Sequence, residues 1–234
     1  MKTIIIKLSG ELFFSLTNQE KKDDKKYLYN IAKQLKELKK DYRVGIVIGA
    51  GNIFRGEQAS KKLEIKITTA HNAGMIATII NGLLFHDLLT TQEIDSILFS
   101  AIHCPQIAEI IKQDKLDKAL KENKILIFSG GTSNPFFTTD TTSVIRALQI
   151  GATEFWKGTK VEGIFTADPV EQKDAKLLKK LNYNQVIEKD LKFMDLTAIT
   201  LAKQHNLKIR IFNIFEENSL IKASKDANFG SVIV

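Results

Sequence analysis

Four short apolar runs, each followed directly by glycine or small polar residues, constrain the fold of this chain most. The runs lie within the predicted strands 3–8, 44–48, 124–128 and 154–157. Between them lie segments in which apolar residues recur at helical spacing, so strands and helices alternate along the chain. This alternation predicts an α/β protein, a three-layer α/β/α sandwich around a mostly parallel, twisted sheet with right-handed crossovers.

The remaining apolar patterns predict the other elements. Helical spacing predicts helices over residues 26–38, 69–89, 106–121, 143–150 and 195–205. Shorter runs predict further strands over residues 96–99, 208–212 and 231–234. Residues 161–169 are typical of a turn with a short hairpin-like segment, and 167–180 are predicted to form a loop. With 234 residues, the chain is expected to form a single domain over 1–234 that needs no disulfides.

The residues after the four runs are expected to line one cleft, because ligands bind beyond the carboxyl ends of the strands in an open parallel sheet. These strand tips are residues 9–10, 49–51, 129–131 and 157–159. Lys7, near the end of the first run, can reach phosphate oxygens as a point charge. The 49–56 loop lacks the ending of a Walker A loop and the third glycine of a dinucleotide fingerprint. Its Arg55 nevertheless has a guanidinium suited to phosphate.

Segment 129–142 combines several features of a nucleotide-binding loop. Two adjacent glycines, 130–131, let a ligand approach the main chain closely. Residues 138–140 lie where a helix would begin, and free N–H groups and the helix dipole favour an anion there. Phe136 and Phe137 offer a flat apolar contact, such as the face of a base. The segment therefore predicts a phosphorylated, planar ligand.

Composition excludes several other classes of protein. A single cysteine, Cys104, excludes an internal disulfide framework and favours a reducing compartment. Residues 1–7 become charged too soon for a signal peptide. The longest apolar stretch, 73–85, is interrupted by Asn81 and is expected to be too short for a membrane span. These features predict a cytoplasmic protein with no membrane partner.

Charge and metal-ligating residues point to no further site. The net charge is +7, but the lysines are scattered among acidic residues, so we interpret them as solvated helix faces and predict no nucleic-acid partner. The histidines and the cysteine have no close metal-ligand spacing. We therefore predict neither a metal site formed by the protein nor a nucleophilic triad.

A series of motifs, in one order and over nearly the whole chain, resembles the bacterial uridylate kinases of the amino acid kinase family. The matching segments are residues 7–11, 49–56, 73–78 with 81–82, 134–140, 159–169, 194–198 and 210–213. The runs N-P-F-F-T-T-D and F-T-A-D-P are the most specific of them.

The resemblance implies a fold and an activity. It implies the amino acid kinase fold, with residues 1–138 as the acceptor (UMP) half and 139–234 as the ATP half. It implies transfer of the γ-phosphoryl group of ATP to UMP, which gives UDP for pyrimidine biosynthesis. Mg²⁺ would be held mainly by the nucleotide phosphates. A homohexamer and feedback inhibition by UTP are further expectations.

The resemblance also implies roles for individual residues. The implied catalytic residues are Lys7, Arg55, Asp140 and Asp195, of which the two acids would order the lysine and magnesium. The residues implied to bind ATP are Lys7, Leu8, Ser9, Gly10, Gly51, Arg55, Thr159, Phe165 and Asp168. Those implied to bind UMP are Ala50, His71, Thr132, Ser133, Asn134, Pro135, Phe136, Phe137, Thr138 and Thr139.

The chain departs from the family pattern at two positions of the implied site. Ala50 stands where the family has a glycine, so its methyl group needs room. His71 replaces the acid expected to hold the UMP ribose. Either His71 makes that contact or a neighbouring residue does.

A third departure concerns activation by GTP. Relatives activated by GTP have a glycine-rich insert after the first loop, and residues 13–24 lack it. His86, Thr90 and Ile97 stand at the positions where those relatives have basic residues. We predict little or no activation; a several-fold rise in rate on adding GTP would contradict this.

Three alternatives remain open at this point. One is a kinase of the same fold that acts on carbamate or an acyl amino acid, although the Phe136 and Phe137 pair favours a base. Another is a non-catalytic binding or storage module, as in the metal-oxyanion storage proteins, which the retained Lys7 and Asp140 disfavour. The last is a nucleic-acid-binding regulator, which only the net charge supports.

Overall fold

Short strands and helices alternate along the chain. The computed structural model describes residues 1–13, 24–167, 171–172 and 174–234. The strands are β1 Lys2–Leu8, β2 Tyr42–Ile48, β3 Ser96–Ser100, β4 Glu109–Ile110, β5 Ile125–Ser129, β6 Glu154–Thr159, β7 Ile164–Phe165, β8 Leu177–Leu178, β9 Lys180–Leu181, β10 Lys208–Asn213 and β11 Ser231–Ile233. The helices are α1 Asp24–Leu38, α2 Gly56–Leu63, α3 Ile67–Thr91, α4 Gln113–Lys121, α5 Thr139–Gln149, α6 Tyr183–Glu188, α7 Leu196–Gln204 and α8 Ser219–Lys225.

Within the described residues, nine strands form one sheet in the order β4-β3-β5-β2-β1-β6-β10-β11-β9. Each pairing in it is parallel except that of β10 with β11. Strands β7 and β8 form a separate antiparallel pair; β7 lies in the hairpin-like segment expected over 161–169, but its partner β8 lies in the stretch predicted to be a loop. The mostly parallel sheet predicted from the alternation of elements is thus confirmed.

Helices cover both faces of the sheet. Ile4 and Ile6 of β1 pack into one core with residues of α1, α3 and α8. Ile5, which points to the opposite face, packs into a second core with residues of α4, α5, α6 and α7. Because successive side chains of a strand alternate between faces, an apolar run such as β1 is buried on both sides. This confirms the three-layer α/β/α sandwich.

Helix α3 is longer than the apolar stretch that the sequence indicates. It has 25 residues, and its length and mean hydropathy of 1.4 alone would suit a membrane-spanning helix. In the fold it packs on β3 and β5, and Phe85 and Leu89 are buried in the core. Its opposite face exposes Ile76, Ile80 and Leu84. The helix is therefore a core element with one exposed apolar stripe.

The helix predicted over 106–121 is wrong in its first half. Residues Glu109–Ile110 form β4, which pairs with the edge strand β3, and α4 begins only at Gln113. The β-branched Ile110 and Ile111 suit an extended chain, and β3 offers an unpaired edge. Pairing with that edge therefore outweighs the helical spacing.

Several short elements are absent from the sequence prediction. They are the helices α2, α6 and α8 and the strands β8 and β9, the last two lying in or beside the predicted loop 167–180. Helix α2 buries none of its residues, so it has no apolar stripe to detect. Helix α6 begins with a capping box between Asn182 and Gln185, a local signal that could have indicated it.

Candidate active site

The carboxyl ends of four neighbouring strands meet at one edge of the sheet. Strands β5, β2, β1 and β6 are adjacent and parallel. The residues that follow them therefore come together, as in other open parallel sheets. The register pairs Lys7 of β1 with Lys157 of β6, so two lysines lie side by side at this edge.

Asp140, in the first turn of α5, lies between these two lysines. Its carboxylate is 3.6 Å from the Lys7 ammonium and 2.5 Å from the Lys157 ammonium. Only 8% of Lys157 is exposed, and burial lowers its pKa below the ordinary value although the Asp140 carboxylate raises it. Two cations around one carboxylate leave a net positive charge at this point, which suits an anionic reaction centre.

Asp195 ties the first turn of α5 to the first turn of α7. It is the N-cap of α7 and accepts a hydrogen bond from the Ala198 amide at 2.9 Å. Its carboxylate also accepts hydrogen bonds from the hydroxyls of Thr138 and Thr141. Burial raises the pKa of Asp195, but these hydrogen bonds outweigh it and keep the pKa below the usual range. Asp195 thus braces two helix ends, and its role toward magnesium stays a prediction.

A first cleft of about 570 Å³ opens above the tips of β1, β2 and β5. Its walls come from these tips, from one face of α3 and from residues 131–142. The residues predicted to bind UMP that line it are Ala50, His71, Asn134, Phe137, Thr138 and Thr139. The residues predicted to bind the ATP phosphates that line the same cleft are Lys7, Ser9, Gly10, Gly51 and Arg55. Thr132, Ser133, Pro135 and Phe136 belong to the adjoining loop outside this lining.

A second cleft, also about 570 Å³, lies beside the first and beyond the tip of β6. Thr159 and Phe165, both predicted to bind ATP, line it together with Lys157 and residues 189–193. Asp168, predicted for the same role, lies outside the described residues. Leu8 is fully buried in the core, so its side chain cannot meet a ligand and only its main chain can. The two clefts adjoin at Lys7 and Lys157.

Close backbone approach shapes the floor of the first cleft. A Cβ atom on Gly10 would lie 2.5 Å from the Asn52 side-chain oxygen and 2.7 Å from the Gly49 carbonyl, so the turn after β1 requires glycine. From α3, the buried Asn81 amide donates to the Gly49 carbonyl at 2.8 Å and so fixes the second tip. Ala50 is buried beside it, and the fold accommodates its methyl group.

The loop of residues 132–138 is fastened to α3 by His71. The Phe136 amide donates a hydrogen bond to His71 Nδ1 at 2.9 Å, and the two rings meet edge to face. Because Nδ1 accepts this bond, a neutral His71 carries its proton on Nε2. Phe136 and Phe137 remain 67% and 49% exposed. The loop therefore presents two aromatic rings beside the first cleft.

Arg55 is held at the mouth of the first cleft. Its Nε donates to the Gly51 carbonyl at 3.2 Å, and its NH2 lies 3.0 Å from a Glu11 carboxylate oxygen. Glu11 is also 2.5 Å from the Lys160 ammonium. A chain of three charged side chains therefore runs from the first cleft toward the second.

Sequence reasoning missed three residues of this site: Lys157, Glu11 and Asn81. Lys157 lies at a predicted strand tip, but its position in the sequence alone assigns it no role. The available signal was a lysine near the carboxyl end of an otherwise apolar run, which would be buried unless it had an anionic partner. Glu11 and Asn81 act through other residues, so their own sequence positions indicate little.

Among the residues that the structure describes, no group of three or more His, Cys, Asp or Glu side chains could hold a metal ion. The two acids of the site are already engaged, Asp140 by lysines and Asp195 by hydroxyl and amide donors.

Comparison with known proteins identifies the family. The model described as the amino acid kinase family matches residues 2–213. The chain belongs to this family. It is 46% identical to a uridylate kinase of Mycoplasma genitalium over 222 residues, which are 94% of this chain and 90% of the relative. It is 41% identical to a uridylate kinase of Mycoplasma pneumoniae, over 94% of this chain and 93% of the relative.

Solved structures agree with this assignment. A UMP kinase from Ureaplasma parvum superposes with a TM-score of 0.92 at 31% identity, over 99% of this chain and 98% of the other. A UMP kinase from Bacillus anthracis gives the same TM-score of 0.92 at 34% identity, over 99% of this chain and 95% of the other. The amino acid kinase fold and the resemblance to bacterial uridylate kinases, both predicted from the sequence, are confirmed.

Proposed function

We propose that this protein is an ATP-dependent UMP kinase, which transfers the γ-phosphoryl group of ATP to UMP and gives UDP and ADP. One observation carries the proposal: the Asp140 carboxylate lies between the ammonium groups of Lys7 and Lys157, at the point where two clefts of nucleotide size adjoin. Relatives that are 41% and 46% identical to the chain over 94% of its length are named uridylate kinases, which supports UMP as the acceptor.

The residues at the junction suit in-line phosphoryl transfer. An oxygen of the UMP phosphate attacks the γ-phosphorus of ATP, and the bond to the β–γ bridging oxygen breaks as ADP leaves. This reaction needs positioning and neutralisation of charge more than covalent chemistry. Lys7 and Lys157 supply positive charge, and Asp140 holds the two ammonium groups together. The UMP phosphate is already ionised, so no general base is needed.

We assign the UMP nucleoside to the first cleft and the adenosine of ATP to the second, with the ATP phosphates reaching the part of the first cleft that Lys7, Ser9, Gly10, Gly51 and Arg55 line. Phe137, His71 and the 132–138 loop give the first cleft aromatic and hydrogen-bonding groups that suit a nucleoside. Phe165 and Thr159 give the second cleft an aromatic and a polar wall for adenosine. This corresponds to an acceptor half over residues 1–138 and an ATP half over 139–234, with Lys7 acting at their boundary.

Magnesium would enter bound to the phosphates of ATP, where it adds to the neutralisation of their charge. We infer this because Asp140 and Asp195 are engaged by other side chains in this fold. The protein's own part is to place Lys7, Lys157 and Arg55 around the phosphates.

The test is formation of ADP from ATP with a panel of acceptors. We expect UMP to be the best substrate, ahead of CMP and dCMP, and carbamate and an N-acetyl amino acid to be inactive. A preference for carbamate or the acyl amino acid would contradict the proposal. Absence of ADP with every acceptor would instead favour a binding or storage module.

His71→Ala is expected to raise the KM for UMP about tenfold, because the Phe136 amide loses its acceptor and the loop must be ordered by the ligand. The KM for ATP is expected to stay unchanged, and His71→Asn, which keeps an acceptor, to have a smaller effect. His86→Ala, on the same helix but bonded to Ser96, is the matched control. An unchanged KM for UMP in His71→Ala would contradict the role given to His71.

We further propose that the enzyme is a cytoplasmic homohexamer that UTP inhibits. The support for assembly is the exposed apolar stripe of α3, formed by Ile76, Ile80, Leu83 and Leu84, which are 42–53% exposed. Such a continuous patch suits a second copy of the chain. Addition of UTP to the UMP assay tests the inhibition.

Ile80→Asp is expected to lower the mass of the assembly, because a carboxylate in the centre of an apolar interface would be buried without a partner. Size-exclusion chromatography with light scattering measures the mass. Ile187→Asp, at an exposed apolar residue of α6, is the control and is expected to leave the mass unchanged. An Ile80→Asp protein that keeps the wild-type mass would contradict assembly through this stripe.

A further inference from the structure

Glu11 is shared by two cations that belong to different clefts. One carboxylate oxygen is 3.0 Å from Arg55 NH2, and the other is 2.5 Å from Lys160 Nζ. Arg55 lines the first cleft, whereas Lys160 follows Thr159, which lines the second. Glu11 comes from the turn directly after β1. Its carboxylate therefore lies at the boundary where the phosphates of two nucleotides would meet.

The turn that carries Glu11 is firmly anchored. The Ser9 hydroxyl accepts a hydrogen bond from the Glu11 amide, and the next two residues, Leu12 and Phe13, are buried in the core. Burial raises the pKa of the Glu11 carboxyl, but Lys160 and Arg55 outweigh this and keep the pKa below the usual range. The side chain is therefore a fixed anion at neutral pH.

Arg55 is held at two of its nitrogens and keeps other donors for a ligand. Gly51 and Glu11 take its Nε and NH2. A guanidinium has five N–H donors in a planar fork, so donors remain for an anion in the first cleft. Arg55 is 53% exposed, and without these contacts its long side chain would sample many rotamers.

We propose that Glu11 is a positioning residue that holds the Arg55 guanidinium toward the phosphates in the first cleft. Lys160 balances the charge of the carboxylate, so that Glu11 orients Arg55 without repelling the incoming phosphates. The inference rests on the proposed phosphoryl transfer and adds to it a residue whose two carboxylate oxygens are engaged by Arg55 and Lys160. An exposed ion pair contributes little to stability, so the effect of Glu11 belongs to catalysis rather than to folding.

A double-mutant cycle tests this role. Glu11→Ala is expected to lower kcat/KM for UMP by about tenfold to a hundredfold, the usual loss for a hydrogen bond to a charged group. In the Arg55→Ala background the same substitution is expected to change kcat/KM by less than about twofold, because coupled residues are not additive. Glu11→Gln, which keeps an oxygen acceptor for Arg55, is expected to recover part of the loss.

Glu122→Ala is the matched control, since Glu122 also lies between two lysines, Lys118 and Lys124, away from both clefts. It is expected to keep wild-type activity, and thermal unfolding of all the variants is expected to stay close to wild type. Equal losses from Glu11→Ala with and without Arg55, or no loss at all, would overturn the inference.

A failure of the proposed function can be distinguished from a failure of the role given to Glu11. If the wild-type protein makes no ADP from ATP and UMP, the proposed function is wrong. The same cycle is then run on the dissociation constant of UMP, measured by calorimetry. A weaker affinity in Glu11→Ala that disappears in the Arg55→Ala background supports the positioning of Arg55, and additive changes overturn it.

Discussion

Asp140→Asn is expected to lower kcat for UMP phosphorylation by at least about a hundredfold, as loss of a preorganised charged group at a reaction centre commonly does. Without the carboxylate, the ammonium groups of Lys7 and Lys157 repel each other at the point where both must meet the transferred phosphoryl group. Breaking this buried pair is also expected to lower the free energy of unfolding by about 3 kcal/mol. Circular dichroism and a thermal melt establish that the variant is folded before its rate is compared.

Asp140→Asn is also expected to change how kcat depends on pH. Burial lowers the pKa of Lys157, and Asp140 is the main group that raises it again. With asparagine in its place, burial is less opposed, so Lys157 loses its proton at a lower pH than in the wild type. Because the protonated lysine is the active form, the alkaline limb of the kcat profile is expected to move to lower pH. A purely structural defect would lower the whole profile without moving this limb.

Glu154→Gln is the matched control for Asp140→Asn. Glu154 is likewise a partly buried carboxylate beside two cations, Lys208 and Arg210, but it lies at the opposite end of β6. It is expected to lose some stability and to keep kcat within about twofold, since it lies far from the reacting groups. A wild-type kcat in Asp140→Asn would contradict the mechanism proposed for the two lysines.

The central strands were predictable because they follow from local pattern. Apolar runs such as 3–8 and 125–128 are buried on both faces wherever they are placed in a parallel sheet, and a glycine or hydroxyl after each marks its tip. Strand β4 depends instead on the free edge of β3, and α2 packs on α3 without burying any of its residues. Neither fact can be read from the local spacing of apolar residues.

The residues of the site likewise fall into those that local sequence patterns predict and those that depend on the tertiary fold. Thr138 and the residues after it were recognisable as a helix start because capping is local. The meeting of Lys7 and Lys157 requires the register of β1 on β6, which a single sequence does not reveal. The hydrogen bond from Phe136 to His71 joins residues that are 65 positions apart. Contacts of this kind depend on the tertiary fold, so sequence reasoning found the loops of the site but missed one of its two central lysines.

Lys157→Met is expected to lower kcat by about a hundredfold to a thousandfold, the range for removing one preorganised donor from a reaction centre. Methionine fills a similar volume in the buried strand, so no large cavity is created. It also removes the cost of burying an ammonium group, while Asp140 keeps Lys7 as a partner. The variant also breaks the buried pair with Asp140 and leaves the Phe193 carbonyl without the Lys157 donor, so the free energy of unfolding is expected to fall by up to about 3 kcal/mol. A thermal melt establishes that the variant is folded before its rate is compared.

The separate effects of Lys157→Met on kcat and on KM distinguish a catalytic role of Lys157 from a role in substrate binding alone. If the ammonium acts on the transferred phosphoryl group, kcat falls and the KM for ATP rises little; if it only holds ATP, the KM rises while kcat is kept. Lys208→Met is the control, because Lys208 pairs with Glu154 in the neighbouring strand, away from both clefts. A Lys157→Met enzyme with the turnover of that control would remove Lys157 from the reaction and leave Lys7 and Arg55 as the cations that act on the phosphates.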